Sequence, residues 1–333
     1  MAHEPKLEVY KINVKSFQTV EHPSFGNFLE SNFASEDKKT NASEGFKKLL
    51  QKLITSIETN FVLNSTNKKG LRIDESNDAL VKSIKIASSK QIIYGTIKGG
   101  RYGQNRSIGN TKNPKKKYTK VDQTDIVMDT FYFLLYTPFK STKGILMIQS
   151  YTDDQINDVF INWLKENLSG KGYFMPIMET YCPIKLQEEF KNSSAVKELK
   201  FTKDILISGI ETEDGISTEE FSINISIRAK DAGKKISKLE SLLKTARKLH
   251  FGKKDNPLTL EEFNKQVGVL YNGSHQSSFE LDGDINIKPT IYLKDRIKLQ
   301  KDETPDWNSL HDYCLNLLEE IKIEVYPENN ELS

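Results

Sequence analysis

The sequence predicts an α+β protein, with mixed, mostly antiparallel sheets, flanking helices and two domains. Three observations carry this expectation. Apolar residues recur at helical spacing in some stretches, as at Phe46, Leu49, Leu50, Leu53, Ile54 and Ile57. They alternate in others, as at Phe221, Ile223, Ile225 and Ile227. The two kinds of stretch do not follow one another strictly in turn, which speaks against a doubly wound parallel sheet.

The elements follow in order. Leu7–Phe17 alternates as a strand around Leu7, Val9, Tyr10, Ile12 and Val14. Ser43–Asn60 is an amphipathic helix with Ser43 as its N-cap. Asn64–Gly70 reads as a turn, and Ala79–Ile86 is ambiguous. Gln91–Ile97 is a β-rich run entering the cluster Gly99-Gly100-Arg101-Tyr102-Gly103. Asn105–Lys120 is polar and interrupted by Asn110, Asn113 and Pro114, and is expected to be a mobile basic loop. Thr130–Tyr136 and Gly144–Ser150 are strands, expected to pair as a hairpin in the centre of a sheet.

Asp153 or Asp154 is expected to cap a helix that buries Ile156, Val159, Phe160, Trp163, Leu164 and Leu168, with Gly170 and Gly172 ending it. Tyr173–Thr180 reads as a strand broken by Pro176, and Pro183–Lys197 as a helix. Asp204–Glu211 and Glu220–Ala229 are strands joined by the turn Glu213-Asp214-Gly215. A basic helix, Ile236–Leu249, comes next, then a short helix at Leu260–Val269. Ser278–Ile287 and Thr290–Leu299 read as strands, and Trp307–Ile321 as the final helix after the stop at Pro305. Soft boundaries near Ser150–Asp153 and Asp255–Pro257 give three segments. Residues 1–150 form an α+β domain with the basic loop, 151–255 a middle domain ending in the basic helix, and 256–333 strands and an acidic helix expected to pack back on the first domain.

Charge is the most informative feature. Lys+Arg number 48 against 46 Asp+Glu, yet the charges are segregated. Between Asp78 and Asp122 no acid occurs and eleven bases do: Lys82, Lys85, Lys90, Lys98, Arg101, Arg106, Lys112, Lys115, Lys116, Lys117 and Lys120. A second basic stretch holds Arg228, Lys230, Lys234, Lys235, Lys238, Lys244, Arg247, Lys248, Lys253 and Lys254, opposed only by Asp231 and Glu240. After Lys301 the balance inverts, with nine acids against Lys322 alone. A local excess of one sign attracts polyanions, of which nucleic acid is the commonest in a cell.

Other classes find little support. No apolar run approaches the roughly 20 residues of a membrane helix, and the N-terminus lacks a signal-peptide core. A cytoplasmic protein is expected. Cys182 and Cys314 lie far apart and the five histidines lack ligand spacing, so neither a disulfide framework nor a metal site is expected, and no cofactor motif occurs. Glu198-Leu199-Lys200 and Glu320-Ile321-Lys322 have the local spacing of a metal-dependent nuclease, and Asp282 and Asp284 with Lys288 flank Gly283. Stray matches of this kind are common. No Walker loop, dinucleotide fingerprint, Gly-x-Ser-x-Gly or His-Glu-x-x-His is present.

In the acid-free window, Gly99, Gly100 and Gly103 would permit close backbone approach to phosphate, Arg101 and Arg106 can fork phosphate oxygens, and Tyr94, Tyr102 and Tyr118 can stack on bases. The candidate nucleic-acid-binding residues are Lys98, Arg101, Tyr102, Arg106, Lys112, Lys115, Lys116, Lys117 and Lys120. Arg228, Lys230, Lys234, Lys235, Lys244, Arg247 and Lys248 form a second wall.

The run Ile223-Asn224-Ile225-Ser226-Ile227-Arg228-Ala229-Lys230-Asp231, continuing into Ala232-Gly233, resembles the RexA family of phage-exclusion proteins. Gly144–Gln149 and Pro176-Ile177-Met178 fit the same general pattern. The accessory Kiwa B proteins of another bacterial defence system are similar in general look. The resemblance implies a homodimeric DNA-binding protein with a globular and a mobile domain, acting in anti-phage defence. On it Arg228 and Lys230 carry over as DNA contacts. The function expected is sequence-tolerant DNA binding. The alternatives are a metal-dependent nuclease of a defence system, or a non-enzymatic subunit docking an acidic protein or an anionic membrane. A second, membrane-bound defence subunit is the further partner the resemblance implies.

Overall fold

The structure is a computed structural model. It describes residues 3–17, 23–34, 39–74, 84–170, 172–212, 215–228, 230, 248, 250–253, 256–281 and 287–327. The class is α+β, and the described strands pair antiparallel. The chain divides into two compact units, the first comprising 1–181 with 291–333 and the second 182–290.

The first unit is built on a sheet of nine described strands. They are β1 (Pro5–Asn13), β2 (Val62–Asn64), β3 (Lys69–Ile73), β4 (Ile84–Ala87), β5 (Ile92–Arg101), β8 (Val127–Tyr136), β9 (Lys143–Tyr151), β10 (Ile177–Tyr181) and β17 (Ile291–Tyr292). The spatial order is β10-β1-β9-β8-β5-β3-β2, with β17 beside β1 and β4 beside β5. The hairpin β8–β9 lies in the sheet interior, as its two apolar runs suggest.

One face of the sheet is covered by α1 (Phe25–Phe33), α2 (Ala42–Glu58) and α3 (Asn157–Asn167). Phe28, Phe46, Leu49, Leu53, Phe160 and Trp163 meet Ile12, Ile97, Phe131, Phe133 and Ile148 in one cluster. Burying each such side chain contributes about 1.5–3 kcal/mol of transfer free energy. Trp163 also donates its Nε1 proton to Ser56 Oγ at 2.8 Å, so its polar atom is not stranded. The other face carries α5 (Trp307–Val325), with Leu310, Cys314, Leu317, Leu318 and Ile321 buried.

Several expected boundaries move for local reasons. The N-cap of α2 is Asn41, whose side chain accepts from Glu44 N at 2.9 Å, and not Ser43. Asn41→Ala should cost about 1 kcal/mol in chemical unfolding. Helix α3 starts at Asn157 without a side-chain cap, because Asp153 bonds His3 at 2.8 Å and Asp154 lies beside Arg101. The boundary expected near 150 falls inside the first unit, since α3 and β10 pack and pair there.

The second unit contains α4 (Ile184–Ser193) and a four-stranded sheet ordered β12-β11-β15-β16. These strands are β11 (Ala195–Thr212), β12 (Gly215–Arg228), β15 (Lys265–Tyr271) and β16 (Gln276–Glu280). Phe201, Leu199, Phe263, Leu270 and Phe279 form its core. The helix expected at 260–269 is a single 3-10 turn, Leu260–Glu262, followed by β15. The Thr259–Glu262 capping box explains both the helical signal and its brevity. The boundary expected near 255 coincides with a hairpin of β13 (His250–Lys253) and β14 (Asn256–Thr259) inside the unit. The expected strand 290–299 shrinks to β17, and the helix expected to reach Lys197 stops at Ser193 because the chain turns into β11. The basic helix expected at 236–249 and the turn 213–214 lie outside the described residues. No helix among the described residues is long and apolar enough to cross a membrane.

Candidate nucleic-acid interface

The acid-free window folds into three parts with different fates. Its centre is β5, an interior strand. Its C-terminal part leaves the sheet as a separate two-stranded ribbon, β6 (Arg106–Ile108) paired with β7 (Thr119–Val121). The loop expected at 105–120 is therefore closed at its base by three residue pairs, Arg106↔Val121 to Ile108↔Thr119, and remains a loop over 109–118. Its tip is organised by Asn110, whose Oδ1 accepts from the backbone N of Lys112 and of Asn113, each at 2.9 Å. At the root, Gly103 adopts φ +90° and donates its N–H to Gln123 O at 2.8 Å. That left-handed turn suits glycine and closes the ribbon across to the turn that leads into β8.

Along the ribbon, Arg106, Lys112, Lys115, Lys116, Lys117 and Lys120 are all exposed. None has an ion-pair partner among the described residues. Arg106 is held by Gln104 Oε1, which accepts from Nη2 at 2.8 Å and from Nε at 3.2 Å. Among the cations stand two exposed apolar side chains, Ile108 and Tyr118. The Tyr118 ring lies over Gly109, where an added Cβ would come within 3.0 Å of it. Six positive charges with no acid between Gln104 and Val121 thus occupy one exposed arm.

The remaining predicted residues of the first unit sit differently. Lys98 is half-buried and lies 3.9 Å from Asp74. Arg101 lies 3.8 Å from Asp154. Burial and the neighbouring Asp129 push the Asp154 carboxyl above its usual range, and Arg101 opposes that rise. These acids come from outside the window, which is why sequence reading leaves both cations unpaired. Tyr102 is half-buried at the ribbon root. Lys68 Nζ stands 5.8 Å from its ring, and Tyr102 N–H donates to Lys68 O. Lys68, exposed in the turn between β2 and β3, is a further cation at the root that the window's limits hide. Its only sequence signal is the Asn-Lys-Lys-Gly turn at 67–70.

Gly99 and Gly100 do not offer backbone to a phosphate. Both are buried in the ladder, where an added Cβ would lie 2.8 Å from Gly70 O and 1.7 Å from Val127 O respectively. Tyr94 does not face a ligand either, because its ring stacks on His311 of α5 at 4.1 Å. His311 Nδ1 and the Tyr132 hydroxyl are hydrogen-bonded at 2.7 Å. Burial holds the His311 pKa below its ordinary 6.5, with Lys90 and Lys85 in the same direction and Asp312 against. The unfolded chain therefore binds that proton more readily, and the protein should lose stability as pH falls below about 6.5. Thermal unfolding across that range checks this, and His311→Phe, which keeps the ring stack, should flatten the dependence.

In the second unit, Arg228 ends β12 and its Nε donates to Glu198 Oε1 at 2.9 Å. The hydrogen bonds from Ser226 and Arg228, with Lys200 at 3.6 Å, hold the Glu198 carboxyl below its ordinary range. Glu198 is thus an acid occupied by structural partners, and the Glu-x-Lys spacing there is a salt-bridge cluster. Lys230 and Lys248 are exposed. Lys234, Lys235, Lys244 and Arg247 lie outside the described residues, as do Asp282 and Asp284. In the first unit, Lys322 on α5 pairs with Glu319 at 2.8 Å and covers the Tyr136 ring. Among the described residues no three His, Cys, Asp or Glu side chains are placed to hold a metal ion. A cleft of about 380 Å³ is lined by Pro138, Lys140, Ser141, Thr142, Lys143 and Tyr326 among others. It opens at the end of β8 opposite the ribbon and contains no general acid–base pair.

Comparison of the chain with family models, curated proteins and solved structures finds no significant match.

Proposed function

We propose that this chain is a sequence-tolerant DNA-binding protein that grips the phosphate backbone with the basic ribbon Gln104–Val121. The observation that carries the reading is the exposed arm of six cations without an ion-pair partner among the described residues. Cations without an ion-pair partner break no ion pair on turning to phosphates, whereas Lys98 and Arg101 would first leave Asp74 and Asp154. These two then steer the backbone at the ribbon root, with Tyr102 and Lys68. Arg228 and Lys230 and the basic stretch after them supply a second contact.

The ribbon's form favours DNA over RNA. The major groove of B-DNA admits a two-stranded ribbon, whereas the deep, narrow major groove of A-form RNA does not. The arm's exposed cations are five lysines and one arginine, and they suit backbone contact better than base readout. Binding should therefore depend steeply on salt. If all six cations meet phosphates, the log–log slope approaches about −5 for duplex DNA. Fluorescence anisotropy with a random-sequence duplex over a salt series measures it, and a slope near zero would sink the proposal. The resemblance to phage-exclusion proteins supports a role in anti-phage defence in the cytoplasm, as a homodimer, with a second and membrane-bound subunit as a partner. Loss of plaque restriction on deletion is the test of that role.

A further inference from the structure

Beyond Thr202, β11 has left its partner β15, whose last pair is Thr202↔Lys265. From there β11 and β12 run on as a two-stranded arm, paired from Lys203↔Ile223 to Thr212↔Gly215 with an irregularity between Ser208 and Ile210. Its charge is the inverse of the basic ribbon's. From Asp204 to Ile227 the sequence has no base and six acids: Asp204, Glu211, Glu213, Asp214, Glu219 and Glu220. The arm also carries uncovered apolar surface. Leu206, 72% exposed, is the register partner of Glu220 and lies two residues from Asp204, both of them exposed. On the other face, Ile205 and Phe221 extend the stripe of Phe201, Ile223 and Ile225 past the end of the core, and Phe221 is 45% exposed.

The basic ribbon has the matching anatomy, with Ile108 55% and Tyr118 64% exposed among six cations. An apolar centre within a charged rim is the anatomy of a docking surface, and opposite rims select the partner. We propose that the acidic arm of one copy docks on the basic ribbon of a second copy of this chain and competes there with DNA. This rests on the reading of the ribbon as a polyanion grip. The acidic arm then acts as a competitor supplied by the second copy: its carboxylates occupy the lysines until a longer polyanion displaces them. Self-association and DNA binding are mutually exclusive on each ribbon, and both weaken with salt.

Sedimentation velocity and duplex binding of the full chain test this together. The wild-type chain should associate at about 50 mM salt and dissociate at about 500 mM. D204K/E219K/E220K should weaken association about tenfold or more and tighten DNA binding a few-fold at protein concentrations where association occurs. K115E/K116E/K117E should weaken both, and mixing the two variants should restore association without restoring DNA binding to the latter. Circular dichroism checks each fold, and D204N/E219Q/E220Q replaces the reversal if it unfolds, with a smaller loss expected. An oligomeric state that does not change with salt, or an association indifferent to the arm, overturns the inference while leaving DNA binding intact. Rescue by mixing without any DNA binding by the wild type overturns the functional reading, and the competition with it, while the contact of arm on ribbon stands.

Discussion

Replacing Lys115, Lys116 and Lys117 with glutamate lowers duplex DNA affinity by roughly 100-fold or more, and the melting temperature stays unchanged. The three side chains are exposed at the tip of the ribbon and touch nothing in the core. Each reversal removes one phosphate contact and adds one repulsion. The salt slope should shrink by about three units, since each lost lysine contact removes about one. Affinity losses that vary with DNA sequence would contradict a backbone grip. The matching control is Lys98→Gln, where Asp74 already competes for the cation, and a loss of only a few-fold is expected.

The largest stability effect is expected at Gly100. A Cβ at this position would lie 1.7 Å from the Val127 carbonyl oxygen and 3.2 Å from Met128 Cα. Both are backbone atoms of the neighbouring strand, so no side chain can rotate away. Gly100→Ala must push β8 off β5 at the register Gly100↔Met128 and Arg101↔Val127, the last pairs before the ribbon. A loss on the order of 3 kcal/mol or more is expected, read by urea unfolding. DNA binding should weaken with it, because the ribbon root is displaced. Gly109→Ala offers the contrast, since its added Cβ meets only the Tyr118 ring, which can move. A change under about 1 kcal/mol is expected there.

The legible parts of the fold were those with strong local patterns. The helical spacing of Phe46 to Ile57, the paired runs of β8 and β9, and the alternation of Phe221 to Ile227 each announce their element, because burying one face forces one period. Helix α1 escaped notice, being nine residues with Phe25, Phe28 and Leu29 as its buried apolar face and Ser24 as its cap. The ribbon escaped because β6 and β7 have three residues each and no core of their own. Polar composition at 105–120 reads as a loop when pairing is carried by backbone hydrogen bonds. The limits of the two compact units, at 181/182 and 290/291, carry no local signal, because turn residues such as those at 150–153 and 255–257 look alike whether they join elements or units.

Sequence alone determined the class of the fold and the segregation of charge, since period and composition are local properties of the chain. It also isolated the lysines at 112–120, whose neighbours in sequence are their neighbours on the ribbon. Tertiary structure decided which cations are free. Lys98, Arg101 and Arg228 meet Asp74, Asp154 and Glu198, acids 24, 53 and 30 residues away in the chain. Long-range pairing neutralises a charge that composition counts as available, and each of these acids lies outside the basic stretch that holds its partner.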